Sequence, residues 1–101
     1  MKLAVIGDYE SPSYLELLER VKIIFQGETV LDLSAFPGSW KQKSDARIDT
    51  IGRSHMVIIS QDWSVLTDAK KDITCAQALK IECYVDVDGK FLPFPEYAKR
   101  W

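Results

Sequence analysis

The stretch HMVIISQDWSVLTDAKKDITCAQALKIECY, residues 55–84, decides the fold of this chain. After its histidine come four apolar residues, Met56–Ile59, as expected of a parallel strand that helices cover on both faces. Polar residues follow at 60–64, and an apolar stripe at helical spacing then predicts a helix from about Val65 to Lys80. The stripe consists of Ala69, Ile73, Ala76 and Leu79. Because ligands of open α/β sheets bind beyond the carboxyl ends of the strands, we expect a site at this loop and helix start.

Strands and helices are predicted to alternate along the whole chain. The predicted strands are Lys2–Gly7, Thr29–Leu33, Met56–Ile59 and Glu82–Val87, and the other predicted helices begin at Ser11-Pro12-Ser13 and run from about Trp40 to Ile51. Asp88-Gly89 is a turn signal, after which Lys90–Leu92 could pair back as a short edge strand. This alternation is typical of βαβ units. We therefore expect residues 1–101 to form a single α/β domain. The expected architecture is a three-layer flavodoxin-like or Rossmann-like domain with a parallel sheet of four to five strands.

Polar residues mark the starts of the predicted helices. Ser13 with Glu16 and Ser39 with Gln42 each have the spacing of a capping box, in which two side chains satisfy free backbone N–H groups. Asp68 is predicted to be the N-cap of the helix that follows the third strand.

The composition is that of an ordinary globular protein and narrows the class of partner. The formal net charge of −2 argues against binding to a nucleic acid polymer or a membrane surface. The apolar run in MKLAVIGDYE is too short for a signal-peptide core, which favours a first strand and a cytoplasmic location. Cys75 and Cys83 match no zinc-binding spacing, and we expect both to be reduced packing residues and no metal to be bound.

Two segments carry a resemblance to a known family. Trp63–Ile73, followed by Ala76–Leu79, aligns without a gap with a tryptophan-containing loop, a helix start that bears a nucleophilic glutamate, and an alanine-rich helix. The chain in this respect resembles the nucleoside 2-deoxyribosyltransferase superfamily, in particular small phage and bacterial relatives of unknown function. The resemblance extends to most of the chain in layout, and to about thirty residues in motif.

The resemblance implies N-glycosidic chemistry that needs no metal or organic cofactor. A carboxylate attacks the anomeric carbon of the sugar, releases the base and forms a glycosyl-enzyme ester that water or a second base resolves. Asp72 matches the nucleophile, although it is one methylene shorter than glutamate, and Asp68 replaces a glycine that relatives use for close approach of the ligand. Tyr9 and Asp62 would assist the sugar. Trp63 would stack on the base.

The residues themselves leave alternatives open at these positions. Gly7 ends the first strand, where a glycine permits a tight turn or the close approach of a ligand to the backbone. Asp72 could instead be an acid that the helix dipole favours near a helix start, and Trp63 could cover an edge of the core. The resemblance adds a further alternative: Asp68 stands where relatives have a glycine and Leu66 where they have a serine that contacts the substrate, so the chain could be an inactive member of the fold. Such a member would bind a nucleotide-derived ligand or a protein partner.

Two further expectations concern other ligands and the oligomeric state. A flavin carrier is a weaker alternative, because no phosphate-binding loop follows the first strand. The C-terminal segment is rich in aromatic residues, namely Phe91, Phe94, Tyr97 and Trp101. A small domain has limited core in which to bury them, and the resemblance implies that this tail closes the site of a neighbouring subunit. We expect a homodimer or a larger oligomer.

Overall fold

A computed structural model of the chain describes residues 1–95. The strands are β1 (Lys2–Ile6), β2 (Thr29–Leu31), β3 (Met56–Ile59), β4 (Glu82–Val87) and β5 (Lys90–Pro93). The helices are α1 (Pro12–Ile24), α2 (Trp40–Gly52) and α3 (Thr67–Ala78), with a short 3₁₀ turn at Trp63–Val65. The predicted alternation of strands and helices, and the α/β class, are confirmed.

The five strands form one mixed sheet in the order β2-β1-β3-β4-β5. The first four are parallel and β5 runs antiparallel to β4, so the prediction of a wholly parallel sheet is wrong at this edge. The reason lies in the connection: Asp88 and Gly89 both have positive φ, at 50° and 86°. Two such residues make a tight hairpin turn, and a connection this short can join only antiparallel strands. The edge strand predicted at Lys90–Leu92 is confirmed and extends to Pro93.

The buried side chains fall into two clusters, to which successive residues of a strand contribute alternately. Leu3 and Val5 of β1 pack with α1, whereas Ala4 and Ile6 pack with α2 and α3. Side chains on a strand point to opposite faces in turn, so a strand that contributes to both clusters is apolar at every position. This accounts for the unbroken run Met56–Ile59, in which Val57 to Ile59 are fully buried.

Tyr14 on α1 holds the ends of two strands together. Its hydroxyl donates to the carbonyl of Val5 at 2.9 Å and accepts from the backbone N–H of Leu33 at 3.0 Å, and the residue is 1% exposed. These bonds satisfy backbone groups that would otherwise be buried without partners. The loops that follow β1 and β2 are thereby fixed beside each other.

The starts of the helices agree only in part with the capping predictions. Ser39 and Gln42 form the predicted capping box of α2. The N-cap of α1 is Ser11 and not Ser13, because Pro12 occupies the first helical position and has no N–H to satisfy. The N-cap of α3 is Leu66, which places Asp68 in the first turn of the helix and not at the cap.

The predicted apolar stripe of α3 is confirmed except at its end. Ala69, Ile73 and Ala76 are buried, and Asp72 lies on the same face. Leu79 is 54% exposed because the helix ends at Ala78 and the chain turns away.

The described part of the aromatic tail packs within the chain. Phe94 is 3% exposed and meets the ring of Trp63 edge-on at 4.9 Å, while Phe91 stacks on Phe25 at 6.0 Å. Tyr97 and Trp101, the other two residues of the predicted interface, lie outside the described residues.

The described residues also bear on membrane insertion and on the state of the two cysteines. No helix within residues 1–95 is long and apolar enough to cross a membrane. Cys75 and Cys83 are both free thiols, as predicted, and Cys83 is buried.

Candidate functional site

A crevice of about 580 Å³ opens at the carboxyl ends of β1, β2 and β3. The strand order reverses between β1 and β3, and such a point is where ligands bind in open α/β sheets. The crevice is lined by residues 7–10 after β1, by Leu33, Ser34 and Phe36 after β2, by Trp40, Lys43 and Arg47 of α2, and by residues 65–68 at the start of α3. It therefore lies at the edge of the sheet where the sequence predicts a site.

Three side chains from different elements meet at the floor of the crevice, and we call them the Tyr9–Arg47–Asp72 cluster. The hydroxyl of Tyr9 donates to Oδ2 of Asp72 at 2.7 Å, and Nε of Arg47 donates to the same oxygen at 2.8 Å. The Arg47 guanidinium also lies over the Tyr9 ring, 4.7 Å from its centre. Asp72 is fully buried and Arg47 is 5% exposed. A buried arginine–carboxylate pair with a third hydrogen-bonding partner is a rigid arrangement.

The cluster leaves two buried polar atoms without a hydrogen bond among the described residues. They are Nη2 of Arg47 and Oδ1 of Asp72. The nearest acidic oxygen to Nη2 in another ion pair is Oδ1 of Asp68, at 4.0 Å, which is beyond hydrogen-bonding distance. Buried polar atoms in folded proteins are almost always satisfied, so both atoms indicate a place for a ligand group or a bridging water.

Burial sets the protonation behaviour of the cluster. It raises the pKa of Asp72 above the ordinary value of a carboxyl group, although the hydrogen bonds from Tyr9 and Arg47 oppose the shift. Burial, together with the adjacent Asp72, also raises the pKa of Tyr9 far above that of a free phenol. Tyr9 therefore stays protonated and acts as a hydrogen-bond donor at any physiological pH.

The lip of the crevice is apolar and open to solvent. Trp40 is 62% exposed and Val65 is 78% exposed, and both line the crevice. The indole N–H of Trp40 donates to Oδ1 of Asp68 at 3.3 Å. Nζ of Lys71 lies 5.0 Å from the centre of the Trp40 ring and donates to Ser44 Oγ at 2.9 Å. The position of the indole is thus fixed from two sides, which suits a surface on which a planar ligand can stack.

The predicted site residues divide into those at the crevice and those away from it. Gly7, Tyr9 and Asp68 line it, and Asp72 lies directly beneath Tyr9 and Arg47 without lining it. At Gly7 a Cβ would lie 2.9 Å from Oγ and 3.1 Å from Cβ of Ser60, so a larger residue would have to displace the side chain of Ser60.

Asp62 and Trp63 do not line the crevice. Asp62 is exposed and accepts a hydrogen bond from Ser60 Oγ at 2.6 Å. Trp63 packs against the core and the ring of Phe94, which is the core-covering position that the sequence left open as an alternative.

Arg47, Trp40 and Lys43 were missed as site residues by the sequence reasoning. A signal for Arg47 was present, because the buried face of α2 consists of Ser44, Arg47 and Ile51 at spacings of three and four. A charged residue on the inward stripe of a helix needs a buried partner, and that partner could have been sought among the acids near the third strand.

Comparison with models of known protein families gives no match for this chain, and comparison with curated proteins gives none either. The resemblance to the nucleoside 2-deoxyribosyltransferase superfamily therefore stays a prediction. Within residues 1–95 no group of three or more histidine, cysteine or acidic residues is arranged to hold a metal ion.

Proposed function

We propose that the chain is a nucleoside- or nucleotide-binding protein, on a three-layer flavodoxin-like scaffold, and that the crevice is its binding site. One observation carries the proposal: an exposed, fixed tryptophan lies on the lip of a crevice whose floor is polar and buried. A nucleoside has the matching form, with a flat aromatic base joined to a sugar that bears hydroxyl groups.

The lip supports the base and the floor supports the sugar. Trp40 offers one face of its indole, and Phe36 and Val65 extend the apolar surface around it. Stacking of a base on an aromatic side chain contributes about 1–3 kcal/mol by alanine substitution. In this proposal Trp40 takes the stacking role that the sequence suggested for Trp63. Tyr9 and Asp68 are the polar groups nearest the sugar.

A second candidate function is hydrolysis or transfer at the N-glycosidic bond, with Asp72 as the nucleophile. The observation that favours it is Oδ1 of Asp72, which has no hydrogen-bond partner within residues 1–95, beside a tyrosine that hydrogen-bonds to Oδ2. The complete burial of Asp72 and its ion pair with Arg47 weigh against it, because a nucleophile must reach the anomeric carbon. We rank binding first and catalysis second.

Binding is tested by titrating the four common ribonucleosides and their 5′-monophosphates into the protein and following heat and thermal unfolding. A ligand that binds the native state raises the midpoint of unfolding. We expect at least one nucleoside to do so, and Trp40→Ala to weaken its binding about tenfold. Trp63→Phe is the matched control, since Trp63 does not line the crevice. No binding by any of these compounds contradicts the proposal and leaves a protein-interaction module of the same fold.

Catalysis is tested by following the release of free base by chromatography during incubation with the same compounds. Release that disappears in Asp72→Ala but persists in Asp62→Ala supports the second candidate. Binding without release supports the inactive member of the fold. A cytoplasmic location, expected from the sequence, accompanies either function, since nucleosides and nucleotides are metabolites of that compartment.

A further inference from the structure

The unsatisfied guanidinium nitrogen of Arg47 suggests what the crevice recognises. Arg47 lines the crevice while 5% exposed, and its Nη2 has no hydrogen-bond partner among the described residues. The guanidinium group is held in one orientation, because its Nε donates a hydrogen bond to Asp72 and the group lies over the ring of Tyr9. Nη2 is therefore a hydrogen-bond donor of fixed position at the floor of the crevice, and the described residues supply no acceptor for it.

The charges around this donor argue against an anionic ligand. Three carboxylates line the crevice, from Asp8, Glu10 and Asp68, against two cations, from Lys43 and Arg47. The charge of Arg47 is already matched by Asp72 directly behind it. A phosphate at Nη2 would lie close to Asp68 as well, whose oxygen is 4.0 Å from that nitrogen. Repulsion between like charges at this distance opposes a phosphate in this partly buried setting, and the attraction that Arg47 would exert is already offset by Asp72.

We propose that Arg47 and Asp68 together bind a hydroxyl group of an uncharged, polyhydroxylated ligand, and that Asp72 is the positioning residue that holds Arg47 for this purpose. The proposal rests on the proposed function in using the same crevice, and it narrows the ligand to one without a phosphate. It also gives Asp72 a role other than that of nucleophile.

A hydroxyl group fits the two partners because it both donates and accepts. An oxygen atom about 2.8 Å from each of two atoms that are 4.0 Å apart would accept from Nη2 and donate to Oδ1 of Asp68. A phosphate or carboxylate oxygen can only accept, so it could not donate to Asp68, whose Oδ1 otherwise accepts only from the indole N–H of Trp40 among the described residues. Nη2 is covered by its neighbours, so a ligand hydroxyl reaches it only when the side chain of Asp68, which is 41% exposed and accepts from the indole N–H of Trp40, shifts outward.

The experiment compares three forms of the nucleoside that binds best: the ribonucleoside, its 2′,3′-dideoxy analogue and its 5′-monophosphate. We expect the dideoxy analogue to bind at least tenfold more weakly, because the buried donor is then left without its partner. We expect the monophosphate to bind no more tightly than the nucleoside. Equal binding of the dideoxy analogue, or tighter binding of the monophosphate, overturns the inference while the proposed function stands. Methyl riboside, which has no base, tests whether the crevice binds the sugar alone.

Variants test the roles of the two aspartates. Asp68→Ala should remove most of the preference for the ribonucleoside over its dideoxy analogue, whereas Asp62→Ala, outside the crevice, should leave that ratio unchanged. Asp72→Asn retains an oxygen that can accept both hydrogen bonds and should keep the preference. Asp72→Ala should lose it even where circular dichroism shows a folded chain. A folded Asp72→Ala with an unchanged preference contradicts the positioning role.

The outcomes separate the two proposals. Binding of methyl riboside with no preference for a base supports the inference and contradicts the proposed nucleoside function. Binding of none of the nucleosides, monophosphates or the riboside contradicts both. The compound that fails to bind therefore identifies which of the two proposals is wrong.

Discussion

Asp72 and Asp86 are two buried carboxylates that each pair with an arginine, but their partners differ in access to solvent. Asp72 is 0% exposed and its partner Arg47 is 5% exposed. Asp86 is 7% exposed, whereas the side chain of its partner Arg20 is 45% exposed and bonds to it at 2.6 and 3.3 Å. A charge left behind at Arg20 can be hydrated by water. A charge left behind at Arg47 cannot.

This difference predicts unequal effects on stability. Asp72→Ala should lower the free energy of unfolding by about 3–5 kcal/mol, because it leaves a buried guanidinium without its counter-charge. Asp86→Ala, the matched control, should cost about 1 kcal/mol. Urea denaturation of both variants checks the difference. Equal losses would mean that Arg47 finds another partner when Asp72 is removed.

The raised pKa of Asp72 predicts the sign of its contribution to pH dependence. Because burial raises the pKa above that of the unfolded chain, the folded state binds the proton more tightly. The contribution of this residue to stability is therefore greatest at low pH and falls as the pH rises through the window above about 4. Side-chain carbon NMR of Asp72 should show a titration midpoint above the ordinary range. Asp72→Asn should make stability change less with pH in that window. A midpoint below the ordinary range would contradict the expected sign.

The two cysteines should differ in reactivity toward alkylating reagents. Burial raises the pKa of the Cys83 thiol to about 11, and its Sγ lies 3.3 Å from the carbonyl oxygen of Ile81. The reactive thiolate is therefore scarce and covered at neutral pH. At pH 8 iodoacetamide should modify Cys75 of the folded protein well before Cys83, while unfolding should make the two rates similar. Cys75→Ser isolates the slow site, and rapid modification of that variant would disagree with the structure.

At the scale of elements, the start of α2 determines where Trp40 and Arg47 lie. Ser39 accepts from the N–H of Gln42, and Oε1 of Gln42 accepts from the N–H of Ser39 at 2.8 Å. Gly38, just before them, has φ of +106°, and a Cβ there would lie 2.4 Å from Oε1 of Gln42. The glycine and the capping box therefore depend on each other.

Substitutions at this helix start should cost stability to different degrees. Ser39→Ala should lower the free energy of unfolding by about 1 kcal/mol, the usual effect of losing an N-cap. Gly38→Ala should cost more, because the new methyl group both strains the backbone and displaces Gln42. Gly27→Ala is the control: it has positive φ as well, but no atom of residues 1–95 lies within 4 Å of its added Cβ. Thermal unfolding should show Gly38→Ala as the least stable of the three variants, and its difference from Gly27→Ala separates the displacement of Gln42 from backbone strain.

At the scale of the whole molecule, the oligomeric state is still a prediction. The expected interface was the aromatic tail, but Phe91 and Phe94 are packed within the chain. Light scattering after size-exclusion chromatography should give twice the chain mass of 11.5 kDa or more if copies associate. A mass equal to one chain would contradict the prediction and would make the crevice a site formed by one copy alone.

Periodicity predicted most of the fold because each strand and helix depends on neighbours in sequence. Met56–Ile59 could be recognised as a doubly buried strand from four consecutive letters, and the capping box at Ser39 from residues three apart. The sequence analysis predicted that β5 could pair back as an edge strand, but it still described the whole sheet as parallel. The turn signal that decides its direction was already visible in Asp88-Gly89.

The sequence by itself determined the order of strands and helices, the buried faces, and the edge of the sheet at which a crevice opens. These follow from local spacing and from the general geometry of parallel sheets. Only the tertiary structure decided which groups Asp72 contacts, because its two partners lie 25 and 63 residues away along the chain. Whether a carboxylate faces a ligand or an arginine depends on which helix packs beside it. Residues that are neighbours in sequence do not determine which helix that is.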